Sequence, residues 1–417
     1  MKIKSNCLII FVLAAIVDTQ CASEIMSLDA LIKKAYVNNP EINSARKKSD
    51  AMNTVSSQMK TPENPQFFVD YQKMPSGSFS PGSAEEKMFG ITQMLPWPGK
   101  LKIDARIAGQ DAGIAELEEK NTEIGVISKL KAAYAEYFYI NKEIEIYAEN
   151  AAIMGNMSKS LESRYAAGSA SQADVLNAQV EASKMSNMLL NLKEEVELSR
   201  AMINMLVGGN PDENIGAPEN IQIEYISNDW DSIKRIVLKN NYDIKKQNLK
   251  IIKSKLQKNY GARGFFPDFE LTFRKRRMGN MWAGNDFMLG FTTPLWFWKP
   301  ALNVKQMSYE LEMAEYDSKS AEIAVIYNAR IYFTRIETSR NLIELYKTGI
   351  IPQAEQSKKA AETEYFSGKG DFLQFLDSAR TLLSFKIDYY KNVMEYYQNL
   401  AMLEQIAGIE LPTGGKK

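Results

Sequence analysis

Apolar residues follow a coiled-coil spacing along residues 172–207, with steps that alternate between three and four. The members of this stripe are Val175, Ala178, Ala182, Met185, Leu189, Leu192 and Val196. The pattern predicts a helix with a heptad seam; a core-facing stripe of an ordinary helix is the alternative, because the two periods look alike over short stretches. Residues 371–408 show a noisier version: Leu376, Ala379, Leu383, Ile387, Tyr390 and Met394.

The sequence also contains an internal duplication. Residues 31–42 align with 233–244 at an offset of 202, and beyond the first predicted strand the offset becomes 200, as for Gly168 and Gly368. A duplication of this length predicts two structural repeats. The predicted division is a signal peptide (1–23), repeat 1 (24–207), a linker (208–228), repeat 2 (229–408) and a C-terminal tail (409–417).

Each repeat has the same predicted order of elements, namely a helix, a β-hairpin, a very long helix and a last helix. The predicted bounds are 27–59, 66–95, 99–167 and 172–207 in repeat 1, and 230–262, 267–295, 299–367 and 371–408 in repeat 2. The first and last helices together match the long one, which spans about 100 Å at 1.5 Å per residue. We therefore expect long antiparallel helical hairpins in a mainly α fold with a small β part.

The predicted strands alternate apolar and polar residues. Their apolar faces are Phe67, Val69 and Tyr71; Phe89, Ile91 and Leu95; Phe269, Leu271 and Phe273; and Phe287, Leu289 and Phe291, with Phe68 as an exception. Such alternation fits either a soluble sandwich or a membrane barrel. Two hairpins at the ends of very long helices leave no room for a sandwich core, which favours the membrane. Four strands cannot close a barrel, so we expect it to be shared between copies, with 8 strands from two copies or 12 from three; three copies leave the wider lumen.

The first 23 residues have the features of a secretory signal peptide. Lys2 and Lys4 precede an apolar run over 7–17, which is shorter than a bilayer-spanning helix. A short N-terminal anchor is the alternative. Cys21 raises the question of lipid attachment, although the three residues before it lack the pattern of a lipoprotein signal. The segment predicts export from the cytoplasm.

Composition narrows the range of functions. The chain has 51 basic and 51 acidic residues, which gives no indication of a nucleic-acid partner. Histidine is absent, and with it the commonest metal ligand and general base. No phosphate loop or nucleophile motif is present, so we expect no enzymatic activity, cofactor or bound metal. The methionines near the second hairpin (Met278, Met281 and Met288) are assigned to flexible packing rather than to soft-metal binding.

Several motifs carry a family resemblance. They are Ser27-Leu28-Asp29-Ala30-Leu31, Asn38-Asn39-Pro40-Glu41-Ile42, Gln93-Met94-Leu95-Pro96-Trp97-Pro98-Gly99-Lys100, Arg164-Tyr165-Ala166-Ala167-Gly168 with Asp174–Gln179, and Tyr365-Phe366-Ser367-Gly368 with Phe375-Leu376-Asp377. Together with the duplication they resemble the TolC-like outer-membrane efflux family, and the third motif resembles its heavy-metal (CzcC- and CusC-like) branch.

This resemblance implies a homotrimer with a β-barrel in outer-membrane lipid and an α-helical barrel in the periplasm. The helix-hairpin tips would dock a periplasmic adaptor protein that connects to an inner-membrane pump. The channel would conduct metal ions or small toxic compounds passively from the pump to the exterior.

The candidate site residues lie at the two hairpin tips. The expected adaptor-docking set is Arg164, Tyr165, Gly168, Ser169, Ala170, Tyr365, Gly368, Lys369 and Gly370, with a plain turn as the alternative role of the two turn glycines. The resemblance places Asp377 at the periplasmic entrance, where three copies would form an acidic ring; a solvated carboxylate is the alternative. Gln374 stands where the family often has a second acid, and Asp174 and Asp371 are further gate candidates.

Two other functions remain open from the sequence. A type I protein secretion channel would have the same architecture and differ in the neighbouring pump. A periplasmic coiled-coil scaffold would need neither alternating strands nor insertion into a membrane.

Overall fold

A computed structural model describes residues 27–412 and 414. The predicted signal peptide, Cys21 and the end of the tail lie outside the described residues. The elements are α1 (Leu28–Asn38), α2 (Pro40–Gln58), β1 (Gln66–Gln72), β2 (Glu86–Leu95), α3 (Lys100–Ala166), α4 (Gln172–Val207), α5 (Trp230–Asn240), α6 (Tyr242–Ala262), β3 (Asp268–Met278), β4 (Met281–Thr292), α7 (Trp298–Leu345), α8 (Ile351–Phe366) and α9 (Phe372–Ala407). The predicted order of elements is confirmed. None of the helices in the described ranges combines the length and apolar character needed to cross a membrane.

The helices pair as long antiparallel hairpins. Helix α3 packs against α2 and α4, and α7 packs against α6 and α9. Along α4 the predicted seam is confirmed, because Val175, Met185 and Leu192 are buried while Leu176 and Leu190 are more than half exposed. Helix α3 also packs against α6 and α9, and this contact joins repeat 1 to repeat 2.

The first helix of each repeat is broken, where single helices over 27–59 and 230–262 were expected. Asn39 lies between α1 and α2 in an extended conformation, and its Oδ1 accepts hydrogen bonds from the amides of Glu41 and Ile42 at 2.8 and 3.0 Å. Pro40 starts α2, where its missing amide hydrogen costs nothing. The Asn39 Nδ2 then donates to the Leu206 carbonyl oxygen at 2.7 Å, which fixes the break against the end of α4.

Repeat 2 reproduces this arrangement with Asn241. Its side chain accepts from the Ile244 amide at 2.9 Å, and its Nδ2 donates to the Ile406 carbonyl oxygen at 2.8 Å at the end of α9. Both asparagines are buried. The duplication therefore preserves the break and its contact with the last helix.

The second long helix is also interrupted, where an unbroken helix over 299–367 was expected. A π-helical turn, Tyr346–Ile350, separates α7 from α8 and is followed by Pro352. Proline has no amide hydrogen and its ring crowds the carbonyl four residues earlier, so a wider turn at this point relieves the clash. The backbone stays helical through Ile350 and Ile351, so α8 continues directly from α7.

Residues 208–228, predicted as a linker, form a strap that lies across the middle of the helices. Ile215 and Ile226 of the strap are buried. Four tyrosine hydroxyls on α3 and α9 hold its backbone. Their bonds are Tyr137 to Gly216 O (2.5 Å), Glu219 N to Tyr134 (3.0 Å), Tyr397 to Gln222 O (2.8 Å) and Ile226 N to Tyr396 (3.0 Å). The C-terminal tail also binds the strap, since the Gly414 amide donates to the Tyr225 carbonyl oxygen at 2.8 Å.

The strands of the described chain form one antiparallel sheet in the order β1-β2-β3-β4. Its register sets Phe67, Ile91, Phe273 and Phe287 in one row across the sheet. The apolar face is open in the single chain, with Phe67 80% and Phe287 70% exposed. Strands β2 and β3 join the repeats, and β1 and β4 are the sheet edges.

Two features of the sheet were not anticipated. Phe68, on the polar face, lies over Gly90 so closely that a Cβ there would be 2.3 Å from its ring. Met278 and Met281 face each other at the β3–β4 turn and are 48% and 77% exposed. The packing role assigned to these methionines and to Met288 stays a prediction.

Candidate functional site

Both helical hairpins turn through a glycine in the left-handed region, Gly168 with φ 72° and Gly368 with φ 74°. The amides of Ser169 and Lys369 donate back to the carbonyl oxygens of Arg164 and Glu364 at 2.8 and 2.9 Å. A side chain at either glycine would be strained. Gly370 is tight for another reason, because a Cβ there would lie 3.0 Å from the Glu364 Cβ.

Two of the gate candidates cap helices. Ser171 and Asp174 form a capping box at the start of α4, in which the Ser171 Oγ accepts from the Asp174 amide at 3.0 Å. Asp371 caps α9 and accepts from the Leu373 amide at 3.4 Å. Each cap satisfies an amide that the helix leaves free. Gln374 and Asp377 lie one turn apart on an exposed face of α9.

Arg164 joins the two tips to each other. Its guanidinium carbon lies 5.1 Å from the centre of the Tyr365 ring and 5.8 Å from that of Phe366, within the range of a cation–π contact. Tyr365 is 6% exposed and its ring meets Phe372 edge-on at 5.5 Å. Burial raises the pKa of the Tyr365 hydroxyl.

The two tips are unequal. Tyr165, which the duplication aligns with Tyr365, is 49% exposed. Ala170 is half-buried and packs against the tip core, whereas Lys369 is exposed. Of the predicted docking residues, the structure therefore brings Arg164 and Tyr365 together and leaves Tyr165 and Lys369 at the surface.

An ion pair between a buried carboxylate and a partly exposed guanidinium lies just behind the tips. The Glu181 carboxylate on α4 accepts hydrogen bonds from Nε of Arg380 at 2.9 Å and from its Nη2, and Lys184 lies 3.8 Å away. The Glu181 side chain is 8% exposed and that of Arg380 44%. The hydrogen bonds from Arg380 lower the pKa of Glu181, and the same bonds raise the pKa of Arg380, with a smaller contribution from Asp377. The pair joins the last helices of the two repeats.

The opposite end of the helices carries the motif Gln93–Lys100. The Trp97 ring stacks on Phe266 at 4.8 Å and on Phe269 at 5.9 Å. The Trp97 amide donates to Asp268 Oδ1 at 2.6 Å, and Lys100 Nζ lies 2.8 Å from both Asp268 oxygens. The motif therefore fastens the first β–α junction to the start of β3 in repeat 2.

The profile of the outer membrane efflux protein family matches residues 31–209 and 235–409, which cover most of the two repeats. The chain belongs to the outer membrane efflux protein family. It is therefore an efflux channel of the outer membrane with a large periplasmic helical portion, and the family predicted from the motifs is confirmed.

Known relatives agree with this assignment. The chain is 22% identical over 332 residues to the cobalt-zinc-cadmium resistance protein CzcC of Cupriavidus metallidurans, covering 74% of this chain and 76% of the relative. The structure of the outer membrane protein VceC of Vibrio cholerae superposes with a TM-score of 0.77 at 17% identity, over 91% of this chain and 96% of VceC. The outer membrane channel CmeC of Campylobacter jejuni gives 0.78 at 12% identity, over 92% and 86%. These likenesses show a shared fold.

Proposed function

We propose that the protein is the exit duct of a tripartite metal-efflux system and that three copies assemble to form it. The observation that carries the assembly is an apolar heptad stripe on the outside of α7. Its members, all more than half exposed, are Leu302, Tyr309, Met313, Tyr316, Ile323 and Tyr327. An exposed apolar stripe of this spacing is typical of a helix that packs against a partner helix.

The duplication indicates which helices supply that partner. Helix α3 of repeat 1 packs against α6 and α9 of repeat 2. Its equivalent, α7, packs within the chain against α5, α6 and α9, which all belong to its own repeat. The matching partners are α2 and α4 of a second copy, and α4 has Leu190, Leu198 and Met202 exposed. A head-to-tail contact of this kind closes into a ring of three when each copy is rotated by one third of a turn from the last.

The tips are the proposed entrance and adaptor-docking surface. Leu176, Tyr165, Phe366 and Leu373 are each about half exposed there, beside the exposed face of Asp377. Apolar side chains of this kind suit the helical tips of a periplasmic adaptor. Asp377 from three copies would form a ring that attracts cations and opposes anions.

Divalent metal cations are the proposed cargo. The support is the similarity to CzcC, a cobalt-zinc-cadmium resistance protein, together with the acidic residue at the proposed entrance. Conduction is passive, and an inner-membrane pump supplies the energy.

Mass measurement tests the assembly. We expect the protein, extracted from outer membranes in mild detergent, to have the mass of three protomers by light scattering with the detergent subtracted. Tyr316→Glu puts a charge into the α7 stripe and is expected to abolish that mass, whereas the charge reversal Glu322→Lys, at an exposed position outside the stripe, retains it. A wild-type monomer that needs no detergent would instead support the periplasmic scaffold.

Growth tests check the cargo. A deletion strain is expected to lose growth at elevated Co²⁺, Zn²⁺ or Cd²⁺ and to regain it with the wild-type gene. Unchanged metal tolerance together with the loss of one exported protein from the medium would favour type I secretion.

A further inference from the structure

Methionine is distributed unevenly over the two faces of the sheet. The register places every methionine of the described strands on the polar face, together with Thr92 and Thr272. These residues, here called the methionine row, are Met88, Met94, Met278, Met281 and Met288. Phenylalanine and leucine recur on the apolar face instead. A methionine that only filled apolar space would be expected among them.

The polar face has a defined place in a channel. In a membrane barrel the apolar face meets lipid and the polar face lines the lumen. The thioethers of the methionine row therefore lie along the path that the cargo takes through the outer membrane. This position separates them from methionines that pack a core.

Met278 and Met281 form the densest part of the row. They lie directly opposite each other on β3 and β4, next to the turn that joins the two strands. Directly opposite residues of a sheet have Cβ atoms about 4.5–5.5 Å apart, and methionine has a long flexible side chain, so the two sulfur atoms can meet at one cation. The two residues are 48% and 77% exposed, and an ion in the lumen can therefore reach them.

The carboxylates near this pair are already held by basic side chains. Glu86 lies opposite Met278 on β2. Its oxygens are 3.2 Å from Lys73 Nζ and 3.2 Å from Arg276 Nε. Asp286 accepts a hydrogen bond from Arg276 at 2.8 Å. A cation that prefers oxygen ligands would have to displace these partners, whereas a soft cation can use the neutral thioethers.

The rest of the row continues along the sheet toward the helices. By register the order after the Met278 and Met281 pair is Met88, Met288 and Met94. The steps between neighbouring levels are about 7–14 Å along the strands at about 3.4 Å per residue. Several weak sites in succession let an ion bind and leave again, which passive conduction requires.

We propose that the methionine row binds soft monovalent cations, Cu⁺ or Ag⁺, with Met278 and Met281 as its strongest site. Thioether sulfur suits these ions and carries no proton that must leave before it binds them. The site goes beyond the divalent cargo proposed above and depends only on the sheet. It lies at the end of the sheet away from the helices, so an ion that leaves the channel meets it last.

Silver binding to the purified protein tests the site. The background carries Cys7→Ala and Cys21→Ala, because the thiols of the only two cysteines of the sequence would compete for Ag⁺. In mild detergent and chloride-free buffer, calorimetric titration with silver nitrate is expected to show saturable binding. Met278→Leu with Met281→Leu, which nearly keeps the side-chain volume, is expected to weaken that binding at least about tenfold.

A second pair of methionines serves as the matched control. Met59, at the end of α2, and Met205, in α4, are 42% and 54% exposed. Met59→Leu with Met205→Leu is expected to leave Ag⁺ binding unchanged. Zinc sulfate should give the same titration in all three proteins, because Zn²⁺ selects nitrogen, oxygen and thiolate ligands. If the Met278→Leu, Met281→Leu variant does not assemble, each single change is tested, with an expected loss of at least about threefold.

The possible results separate clearly. A lack of saturable Ag⁺ binding in the cysteine-free protein, or equal binding after Met278→Leu and Met281→Leu, would overturn the site. An equal loss in the control pair would show that any exposed methionine binds Ag⁺ and would overturn it as well. The proposed exit duct is decided separately by the mass and growth tests, and each can fail without the other.

Discussion

The Glu181 carboxylate on α4 is held by the guanidinium of Arg380 on α9, so one charged contact joins the two repeats just behind the tips. We expect Glu181→Gln to weaken this contact by about 1 kcal/mol, since Arg380 is partly screened by solvent. Chymotrypsin cleavage at the tips should then become about fivefold faster. Lys184→Gln changes only the neighbouring charge at 3.8 Å and should leave the cleavage rate nearly unchanged. Equal rates in all three proteins would show that the pair does not stabilise the tips.

The Glu181–Arg380 pair makes the stability of the tips depend on pH. Because the hydrogen bonds from Arg380 lower the pKa of Glu181, its stabilising contribution is complete above the unfolded pKa of about 4.3 and is lost as the pH falls through the folded pKa. The difference in tip protection between wild type and Glu181→Gln should therefore be constant from about pH 6 to 8 and disappear in strong acid. Proteolysis with an acid-active protease measures it, and a difference that grows on acidification would contradict the assignment.

Tyr365 and its repeat equivalent Tyr165 should differ sharply on mutation. Tyr365→Ala removes a ring from the core of the tips and is expected to lower the free energy of unfolding by about 3–5 kcal/mol. Tyr165→Ala, at an exposed position, should lower it by less than about 1 kcal/mol. Tyr365→Phe should be neutral or slightly stabilising, because its buried hydroxyl has no hydrogen-bond partner among the described residues. Thermal unfolding at fixed protein concentration, followed by circular dichroism, measures all three. A large loss in Tyr365→Phe would reveal a role for the hydroxyl.

Asn39 offers a test of the helix break. Aspartate caps helices as well as asparagine does, but it cannot donate to the Leu206 carbonyl oxygen. Asn39→Asp is therefore expected to lower the free energy of unfolding by about 1–3 kcal/mol, because the buried bond to Leu206 is lost. Asn43→Asp, whose side chain makes an exposed bond to the Val37 carbonyl oxygen, should stay within about 0.5 kcal/mol. Similar unfolding midpoints for both variants would mean that the bond to α4 adds little.

Periodicity and duplication were enough to predict the element order, the paired helices and the strand faces. These features repeat over many residues, so single exceptions such as Phe68 do not hide them. The break at Asn39 had a local signal in Pro40, whereas Asn241 is followed by Tyr242 and has none. The bonds that fix both breaks reach helices more than 160 residues away in sequence and could not be predicted. The π-helical turn was missed although Pro352 within a predicted helix was a local signal for it.

At the tips, too, local features could be predicted from the sequence and contacts between the repeats could not. The spacing of Ser171 and Asp174 is that of a capping box, so the capping role of Asp174 was available from the sequence. Glu181 and Arg380 were not, because they come from different repeats and their duplicate positions, Thr381 and Val180, carry no charge. Asp377 and Gln374 as gate residues remain a prediction.

The strap formed by residues 208–228 has a mechanical consequence. Tyr137 of α3 is bonded to it, and the helix runs on from there to Ala166, a rigid arm of about 44 Å at 1.5 Å per residue. The strap therefore holds α3 at a point far from the tip, about which the rest of the helix could tilt. A tilt of about 10° at this level would carry the far end of such an arm sideways by about 8 Å, so a small change in packing around the tyrosine hydroxyls would produce a much larger displacement at the tips.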